Sequence, residues 1–241
     1  MLINIDAKQL EWVTAIHQSQ DPVGLKEVNN GEDQHSDNQT RFRLPTRTAA
    51  KRLLFTIIYG GDGYTLSNRA DTRDIGSQDW WNGVIAEFYE KYQGPRKWHE
   101  SLVERVIRNG GRLNVETGRT YEYVKEKRGI DYVWPKTKIL NYPVQGMAAD
   151  LVSIARVALR KELYDLEDVL WCNTVHDSIV IDTRKKNIER ICAATEQVFA
   201  DVPTYYKQLF GVPFTLPVRC DIEVGMDWKN LQPYKEWLNA N

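Results

Sequence analysis

A repeat of four residues places two cations and two aromatic rings along one stretch of the chain. Arg47, Lys51, Phe55 and Tyr59 stand at every fourth position. Because each step of four residues rotates about 40° around an α-helix, all four side chains lie on one broad face. Cations bind phosphate oxygens and flat rings stack on bases. The face could therefore bind a nucleoside triphosphate, with its phosphates at the cations and its base at the rings. Taken alone, the pattern is more typical of an amphipathic helix with solvated basic residues.

A pair of acids stands where strands end or turn. Asp6 follows a short apolar strand at the start of the chain, and Asp177 lies between two apolar strands in a hairpin. Two carboxylates on adjacent strand ends can hold two Mg²⁺ ions about 3.5–4 Å apart, the arrangement used for in-line phosphoryl transfer. A single aspartate in such a place is most often an ordinary turn residue.

The periodicity of apolar residues predicts the elements that position these side chains. The predicted strands are 2–5, 169–175, 178–181 and 218–224, with a hairpin-like segment over 113–121. The predicted helices are 9–19, 46–59, 79–108 with an interruption at Gly94-Pro95, 143–163 and 187–200, and the polar stretch 27–40 is predicted as a loop or frayed helix. Strands at both ends with helices between them predict an α+β fold, a sheet with a helical insertion.

Composition limits the possible classes of protein. The 241 residues carry 32 Lys+Arg and 33 Asp+Glu, a net charge of -1, which argues against a protein that coats nucleic acid non-specifically. That balance is compatible with one basic channel and one acidic metal site. The three cysteines, Cys172, Cys192 and Cys220, show no Cys-x-x-Cys pairing and are interpreted as reduced thiols. Neither a membrane span nor a signal peptide is visible, so a cytoplasmic location without membrane contact is expected.

Five segments resemble the motifs of family A DNA polymerases, and they occur in the family's order. They are residues 5–11 (IDAKQLE, motif A) with 31–35 (GEDQH) after it, 47–60 (RTAAKRLLFTIIYG, the nucleotide-binding O-helix of motif B), 141–150 (NYPVQGMAAD, the entry to the template-strand helix), 175–178 (VHDS, motif C), and 223–225 (EVG) with Trp228 at the close. The resemblance covers nearly the whole chain. It implies a polymerase palm, an antiparallel sheet with helices, that carries a helical fingers insertion.

The resemblance also implies a role for each matching residue. Asp6 and Asp177 would hold two Mg²⁺ ions, and Lys51 would join them as a catalytic group. The incoming dNTP would be bound by Glu11, His35, Arg47, Lys51, Phe55 and Tyr59. Glu11 would act as a steric gate against a ribose 2′-OH, and Phe55 in place of tyrosine implies discrimination against dideoxynucleotides. Primer-template DNA would be contacted by Tyr59, Gly60, Asn141, Gln145 and His176.

The sequence departs from the family pattern at three places. Ser178 stands where the family usually has a glutamate after the catalytic aspartate, an auxiliary acid, so activity is expected to survive. Ala7 and Lys8 replace the usual aromatic residue and serine beside Asp6. The stretch between His35 and Arg47 is shorter than usual, which indicates a trimmed fingers loop. The trimmed loop and the variant motif C favour a phage or phage-derived element, and a phage-encoded chain would be located in the host cytoplasm.

The predicted domains are palm over residues 1–23, fingers over 24–135 with the O-helix at about 46–59, and palm again over 136–241. Thumb and exonuclease, which precede motif A in the family, are absent from this sequence. A second polypeptide that supplies the thumb, the first palm strands and in some cases a 3′-5′ exonuclease is therefore expected, in an obligate heterodimer. That partner is expected to cover an exposed sheet edge and apolar surface near residues 2–5. An expressed fragment or a degenerate copy is the other explanation.

Two readings from other classes stay open at this point. A non-catalytic DNA-binding or scaffold subunit could retain the polymerase fold; the intact Asp6 and Asp177 argue against it, and Ser178 keeps it open. A single-subunit RNA polymerase shares the palm and its two aspartates. Glu11 as a gate and the spacing of Phe55 and Tyr59 favour the DNA polymerase.

Overall fold

The fold was analysed in a computed structural model, which describes residues 1–240. It contains nine β-strands and ten α-helices over those residues. The strands are β1 (Leu2–Ala7), β2 (Arg112–Asn114), β3 (Thr120–Glu122), β4 (Glu126–Arg128), β5 (Asp131–Val133), β6 (Val169–Val175), β7 (Ser178–Thr183), β8 (Cys220–Gly225) and β9 (Gln232–Pro233). The helices are α1 (Leu10–Ser19), α2 (Pro22–Asn30), α3 (Gln34–Arg41), α4 (Arg47–Ile58), α5 (Gly63–Ser67), α6 (Gln78–Lys91), α7 (Gln93–Arg108), α8 (Lys136–Glu162), α9 (Ile188–Phe210) and α10 (Tyr234–Ala240). None of these helices combines the length and apolarity needed to cross a membrane.

The chain divides into two compact units. The first consists of residues 1–11 and 146–241, of which the structure describes those up to 240, and the second of residues 12–145. The junctions lie at Glu11 in α1 and at Gln145 in α8, whereas the predicted palm and fingers segments change at residues 23 and 135.

The first unit is built on an antiparallel five-stranded sheet in the order β6-β7-β1-β8-β9. As predicted, strands from the two ends of the chain form it. In β1, Ile3 and Ile5 point to the core and are fully buried, while Asn4 and Asp6 point to the opposite face.

The expectation of an exposed sheet edge near residues 2–5 is wrong. Strand β1 pairs with β7 on one side and with β8 on the other, so it is central and its apolar side chains lie inside the unit. The sheet edge on the β7 side is β6, the outer strand of the motif C hairpin, where Leu170 is 63% and Val175 43% exposed. An apolar sequence alone does not distinguish a central strand from an uncovered one.

The second unit is mainly helical and packs around aromatic rings. Trp12, Phe88 and Tyr92 are fully buried in contact with one another, with ring centroids 4.7–6.1 Å apart. Leu53 and Ile57 of α4 supply buried aliphatic side chains. The hairpins β2–β3 and β4–β5 belong to this unit.

The polar stretch 27–40, predicted as a loop or frayed helix, instead forms the end of α2 and nearly all of α3. Asp21 caps α2, and Asp33 caps α3 by accepting from the His35 N–H. Glu27 is buried here: its Oε2 accepts a hydrogen bond of 2.7 Å from the Tyr92 hydroxyl, and its Oε1 lies 2.7 Å from Lys91 Nζ. Because partners in α6 and the residue after it satisfy these polar groups, the helices bury residues that normally indicate a solvated loop.

Helix α8 starts before Pro143, which was predicted as its first residue. Ile139 and Leu140 are buried in a cluster with Leu102, Val106 and Leu113, and this packing keeps the segment ahead of the proline helical. Helix α9 likewise continues past its predicted end at residue 200 and past Pro203 to Phe210, where Gly211 in the left-handed conformation caps it.

Candidate active site

The two predicted catalytic aspartates belong to the first unit, Asp6 on β1 and Asp177 in the turn directly before the neighbouring strand β7. Asp6 near the end of β1 stands opposite Ser178, and the backbone N–H of Ala7 donates to the carbonyl oxygen of Asp177 at 3.1 Å. Asp6 is exposed and Asp177 is half-buried. The alternation of buried and less buried residues in β1 fixes this register, because a slip of one residue would move its buried isoleucines to the opposite face of the sheet. The sheet therefore brings the two residues together.

A third carboxylate, which the sequence analysis missed, stands in the same row. Asp221 on β8 is the direct partner of Asp6 across the other edge of β1, so the two share a face of the sheet. Lys8 Nζ lies 2.6 Å from Asp221 Oδ1. The alternation of acids with Ile222 and Val224 in β8 was the available signal, but only the strand order shows that Asp221 neighbours Asp6.

The donors at this sheet end suit a hard divalent cation. Within residues 1–240 no group of three or more His, Cys, Asp or Glu side chains is arranged to hold a metal ion. Mg²⁺, however, is usually held by one or two carboxylates, with water and substrate phosphates completing the shell. Asp6 and Asp177 fit that kind of site, and phosphate oxygens would supply the remaining ligands.

The turn between β6 and β7 holds His176 in a strained conformation. Its φ of 54° lies in the left-handed region, where a side chain with a Cβ costs about 1–2 kcal/mol. The imidazole is exposed at the tip of the hairpin, immediately before Asp177. His176 and Asp177 form a two-residue turn between paired strands, and turns of this length favour a positive φ.

Helix α4 presents the predicted cations and rings on one face. Thr46 caps it by accepting from the Ala49 N–H at 3.1 Å, and Leu53, Leu54, Ile57 and Ile58 are buried on the other side. Arg47 and Lys51 are exposed, while Phe55 and Tyr59 are half-buried. These four residues form one surface, which we call the cation–ring strip.

The cation–ring strip is continuous. Lys51 Nζ lies 5.5 Å from the centroid of the Phe55 ring, within the range of a cation–π contact. The rings of Phe55 and Tyr59 stack with centroids 6.3 Å apart and planes 9° from parallel. The positively charged end of the strip is therefore in direct contact with the flat aromatic surface at its other end.

His35 of α3 stands beside this strip. Its ring meets Phe55 edge-on at 6.1 Å and is almost fully buried. Burial, and then the charges of Arg47 and Lys51, lower the pKa of His35 to about 4. The imidazole is therefore neutral at pH 7, so toward a phosphate it would serve as a hydrogen-bond donor without charge.

The buried histidines make the second unit sensitive to acid. Burial lowers the pKa of His17, His35 and His99 to about 4. Below the ordinary pKa of about 6.5 the unfolded chain binds protons that the folded chain does not, so the free energy of unfolding should fall between about pH 6.5 and pH 4. Urea unfolding at several pH values measures this slope, and His99→Gln should flatten it. A free energy of unfolding that stays constant or rises on acidification contradicts the prediction.

The end of α4 meets the first part of α8 inside the second unit. The side-chain amide of Gln145 donates a hydrogen bond to the Tyr59 hydroxyl, so two residues predicted to contact DNA touch each other. Gly60 has a φ of 72°, a conformation that favours glycine, and its backbone packs against the Leu140 side chain. Asn141, half-buried, follows Leu140 in α8. Glu11 belongs to the first unit, in the opening turn of α1, five residues after Asp6.

Comparisons with known proteins agree on one family. The model of DNA polymerase family A matches residues 1–230. DNA polymerase I, thermostable, of Thermus aquaticus is 25% identical over 237 residues, which cover 95% of this chain and 27% of that protein. DNA polymerase I of Rhizobium leguminosarum is 22% identical, over 94% of this chain and 23% of that protein. This chain thus spans about a quarter of the length of these curated relatives.

A solved structure has the same fold. The POL domain of Pol1 from M. smegmatis, in complex with DNA primer-template and dNTP, superposes with a TM-score of 0.76 at 20% identity, over 94% of this chain and 40% of that one. This likeness confirms the predicted α+β class, a polymerase palm sheet with a helical insertion. With the family model matching almost from end to end, the chain belongs to DNA polymerase family A.

Proposed function

We propose that this chain is the catalytic portion of a DNA-directed DNA polymerase, which adds dNTPs to a primer 3′ end by two-metal phosphoryl transfer. The observation that carries the proposal is the pairing of β1 with the motif C hairpin, which places Asp6 and Asp177 on adjacent strand ends. A sheet that served only as a scaffold would not need two acids in this position.

The proposed reaction joins the primer to the α-phosphate of the dNTP. The 3′-hydroxyl oxygen bonds to the α-phosphorus and gives up its proton, while the bond from that phosphorus to the pyrophosphate oxygen breaks. Two Mg²⁺ ions, held by Asp6 and Asp177, would supply charge neutralisation and a more acidic hydroxyl. Arg47 and Lys51 bind the phosphates and offset the charge that grows on the leaving pyrophosphate, and neutral His35 adds a hydrogen bond.

The remaining site residues select the nucleotide and hold the DNA. Phe55 and Tyr59 offer the flat surface for the base and sugar, and Glu11 excludes a ribose 2′-OH. Tyr59 and its hydrogen-bond partner Gln145 contact the base pair at the insertion end, with Gly60 allowing close approach and Asn141 nearby. The exposed imidazole of His176 contacts the primer end.

We propose that a second polypeptide completes the enzyme as a split polymerase used in DNA replication. The curated relatives of this chain carry about three quarters of their length outside the region that it matches. The surface that supports a partner is β6, whose apolar residues Leu170 and Val175 are exposed at a sheet edge. The partner would supply the thumb, the first palm strands and, in some cases, a 3′-5′ exonuclease.

A second candidate function is a DNA-binding scaffold subunit without catalysis. Ser178 favours it, because this serine occupies the position opposite Asp6 where the family usually has a glutamate, and its Oγ is directed to the Val175 carbonyl oxygen at 3.1 Å. Primer-template binding separates the two functions. A polymerase binds DNA more tightly when Mg²⁺ and the complementary dNTP are present, whereas a scaffold binds equally in their absence.

Primer extension tests the proposed function. The chain is assayed with primer-template, dNTPs and Mg²⁺, alone and together with the polypeptide encoded beside it. We expect extension in the presence of the partner and little without it, because a palm and fingers without a thumb hold few DNA phosphates. Absence of extension in both assays would overturn the catalytic proposal.

Replacing His176 by glycine should separate stability from activity. Glycine adopts a positive φ without the Cβ penalty, so His176→Gly should stabilise the chain by about 0.5–1 kcal/mol. Loss of the imidazole should slow extension about tenfold if it contributes a hydrogen bond of about 1.4 kcal/mol at the primer end. Urea unfolding and single-turnover extension measure the two effects. Asp168→Gly, at a φ of 62° before β6, is the matched control that should leave extension unchanged. A destabilised His176→Gly, or one with full activity, contradicts the prediction.

A further inference from the structure

A two-point ion pair joins the start of α3 to the start of α4. Arg47 Nε donates to Asp33 Oδ2 at 3.0 Å, and Arg47 Nη2 donates to Asp33 Oδ1 at 3.1 Å. Parallel bonds from a planar guanidinium to both carboxylate oxygens fix its direction as well as its position. The two residues are 14 positions apart in sequence, so the pair depends on the packing of α3 against α4.

Arg47 stands where a cation is electrostatically disfavoured. It is the first residue of α4, at the positive end of the helix dipole, and no acid lies in the first turn. Lys51 follows one turn later on the same face. Without a counter-charge, these positive groups would drive the flexible Arg47 side chain away into solvent, and Asp33 supplies that counter-charge.

The ion pair leaves the guanidinium able to bind phosphate. Arginine has five N–H groups, and the pair with Asp33 uses two of them, so three remain for another acceptor. The Arg47 side chain is 54% exposed, so these groups are accessible from solvent. The carboxylate thus orients the cation without consuming its capacity to bind an anion.

Asp33 is itself held firmly. It accepts from the His35 N–H at 3.0 Å and from the Ser36 hydroxyl at 2.8 Å, in addition to Arg47. Burial alone would raise the pKa of Asp33, but the hydrogen bonds from Arg47, Ser36 and the His35 N–H outweigh it and lower the pKa to about 2. The carboxylate is therefore ionised at every pH at which the chain would work.

We propose that Asp33 is a positioning residue for triphosphate binding, which holds the Arg47 guanidinium in the orientation that receives the phosphates. This inference rests on the proposed function in one respect, namely that Arg47 binds the dNTP phosphates. It assigns to an acidic residue a favourable effect on the binding of an anion. A simple charge argument gives the opposite sign, since removal of a negative charge beside a phosphate site should strengthen binding.

The test uses Asp33→Asn, because asparagine keeps an oxygen to cap α3 but loses the charge and the second acceptor. Affinity for inorganic tripolyphosphate is measured by calorimetry, and KM for dNTP is measured in primer extension by the complete enzyme. We expect both to weaken about fivefold or more, the effect of losing a charged hydrogen bond, with kcat changing less than about twofold.

Three further variants exclude other causes. Asp62→Asn removes a carboxylate that caps α5 by accepting from the Thr65 N–H at 3.0 Å, and should leave both affinities unchanged. Arg47→Lys keeps the charge but loses the planar fork, and should weaken binding to a similar degree. In the double variant Asp33→Asn/Arg47→Lys the two losses should not add, because both break the same interaction.

The outcomes separate this inference from the proposed function. Unchanged or tighter tripolyphosphate binding by Asp33→Asn overturns it, as do additive losses in the double variant or a wild-type chain that does not bind tripolyphosphate. Asp33-dependent tripolyphosphate binding by a chain that never extends primers supports the inference and counts against the proposed polymerase. If the wild-type enzyme extends primers and Asp33→Asn has an unchanged KM for dNTP, the proposed polymerase is supported and the inference about Asp33 is overturned.

Discussion

Replacing Asp177 by asparagine should lower the rate of primer extension by about a thousandfold or more while leaving the fold intact. A loss of that size corresponds to about 4 kcal/mol of transition-state stabilisation, within the several kcal/mol that a metal-held reaction centre supplies. Asparagine preserves the shape of the side chain but removes the charge that a divalent cation requires. Because Asp177 is half-buried in a turn and its backbone carbonyl makes the contact to Ala7, the sheet does not depend on its carboxylate.

Single-turnover extension and thermal unfolding together measure this effect. Asp182→Asn is the matched control, since Asp182 lies on β7, which begins directly after Asp177, and pairs with the amino group of Met1 at 3.0 Å. The control should keep its extension rate, and Asp177→Asn should keep its unfolding temperature. Extension that persists in Asp177→Asn would show that Asp177 is not catalytic. It would favour the scaffold function, with the extension due to a contaminating polymerase.

The second large effect is expected at Lys51. Lys51→Ala should reduce extension about a hundredfold, in the lower range seen when one group that stabilises transition-state charge is removed. The side chain is exposed and its Nζ lies over the Phe55 ring, so the substitution removes a phosphate contact without opening the core. Single-turnover rates at several dNTP concentrations measure how the loss divides between binding and chemistry.

Arg52→Ala is the matched control for Lys51. Arg52 is the next residue of α4, carries the same charge and pairs with Asp71 at 2.6 Å, away from the cation–ring strip. Its loss should change extension by less than about threefold, since an exposed ion pair contributes at most about 1 kcal/mol. Equal losses in both variants would mean that general positive charge, and no specific contact by Lys51, supports the reaction.

The elements with a clear period were predictable from the sequence. Helix α4 and the hairpin strand β6 lie within a residue of their predicted bounds, and β7 within two, because the apolar residues of α4 have helical spacing and the two strands are short apolar runs on either side of a turn. Helices α2 and α3 were predicted only as a loop or frayed helix over 27–40, since the partners that make their polar residues compatible with burial come from distant positions such as Tyr92. The start of α8 was misplaced for a similar reason: packing at Ile139 and Leu140 outweighs the local preference of Pro143.

The candidate site also has features that were predictable from the sequence and features that were not. Its residue types and order were recognisable, because spacing of four along a helix and acids at strand ends are local features. The contacts between them were not, since Asp221 reaches Asp6 through strand order and Asp33 reaches Arg47 through helix packing. The partner polypeptide, the phage origin and the individual residue roles stay predictions.

Template-directed addition of a single nucleotide tests the central claim most directly. Four primer-templates that differ in the first unpaired template base are each incubated with one dNTP or one rNTP, Mg²⁺, and the chain with its partner. The account predicts that the primer grows by one nucleotide only with the complementary dNTP. Addition that ignores the template base, a preference for rNTPs, or no addition with any nucleotide would contradict a DNA-directed DNA polymerase.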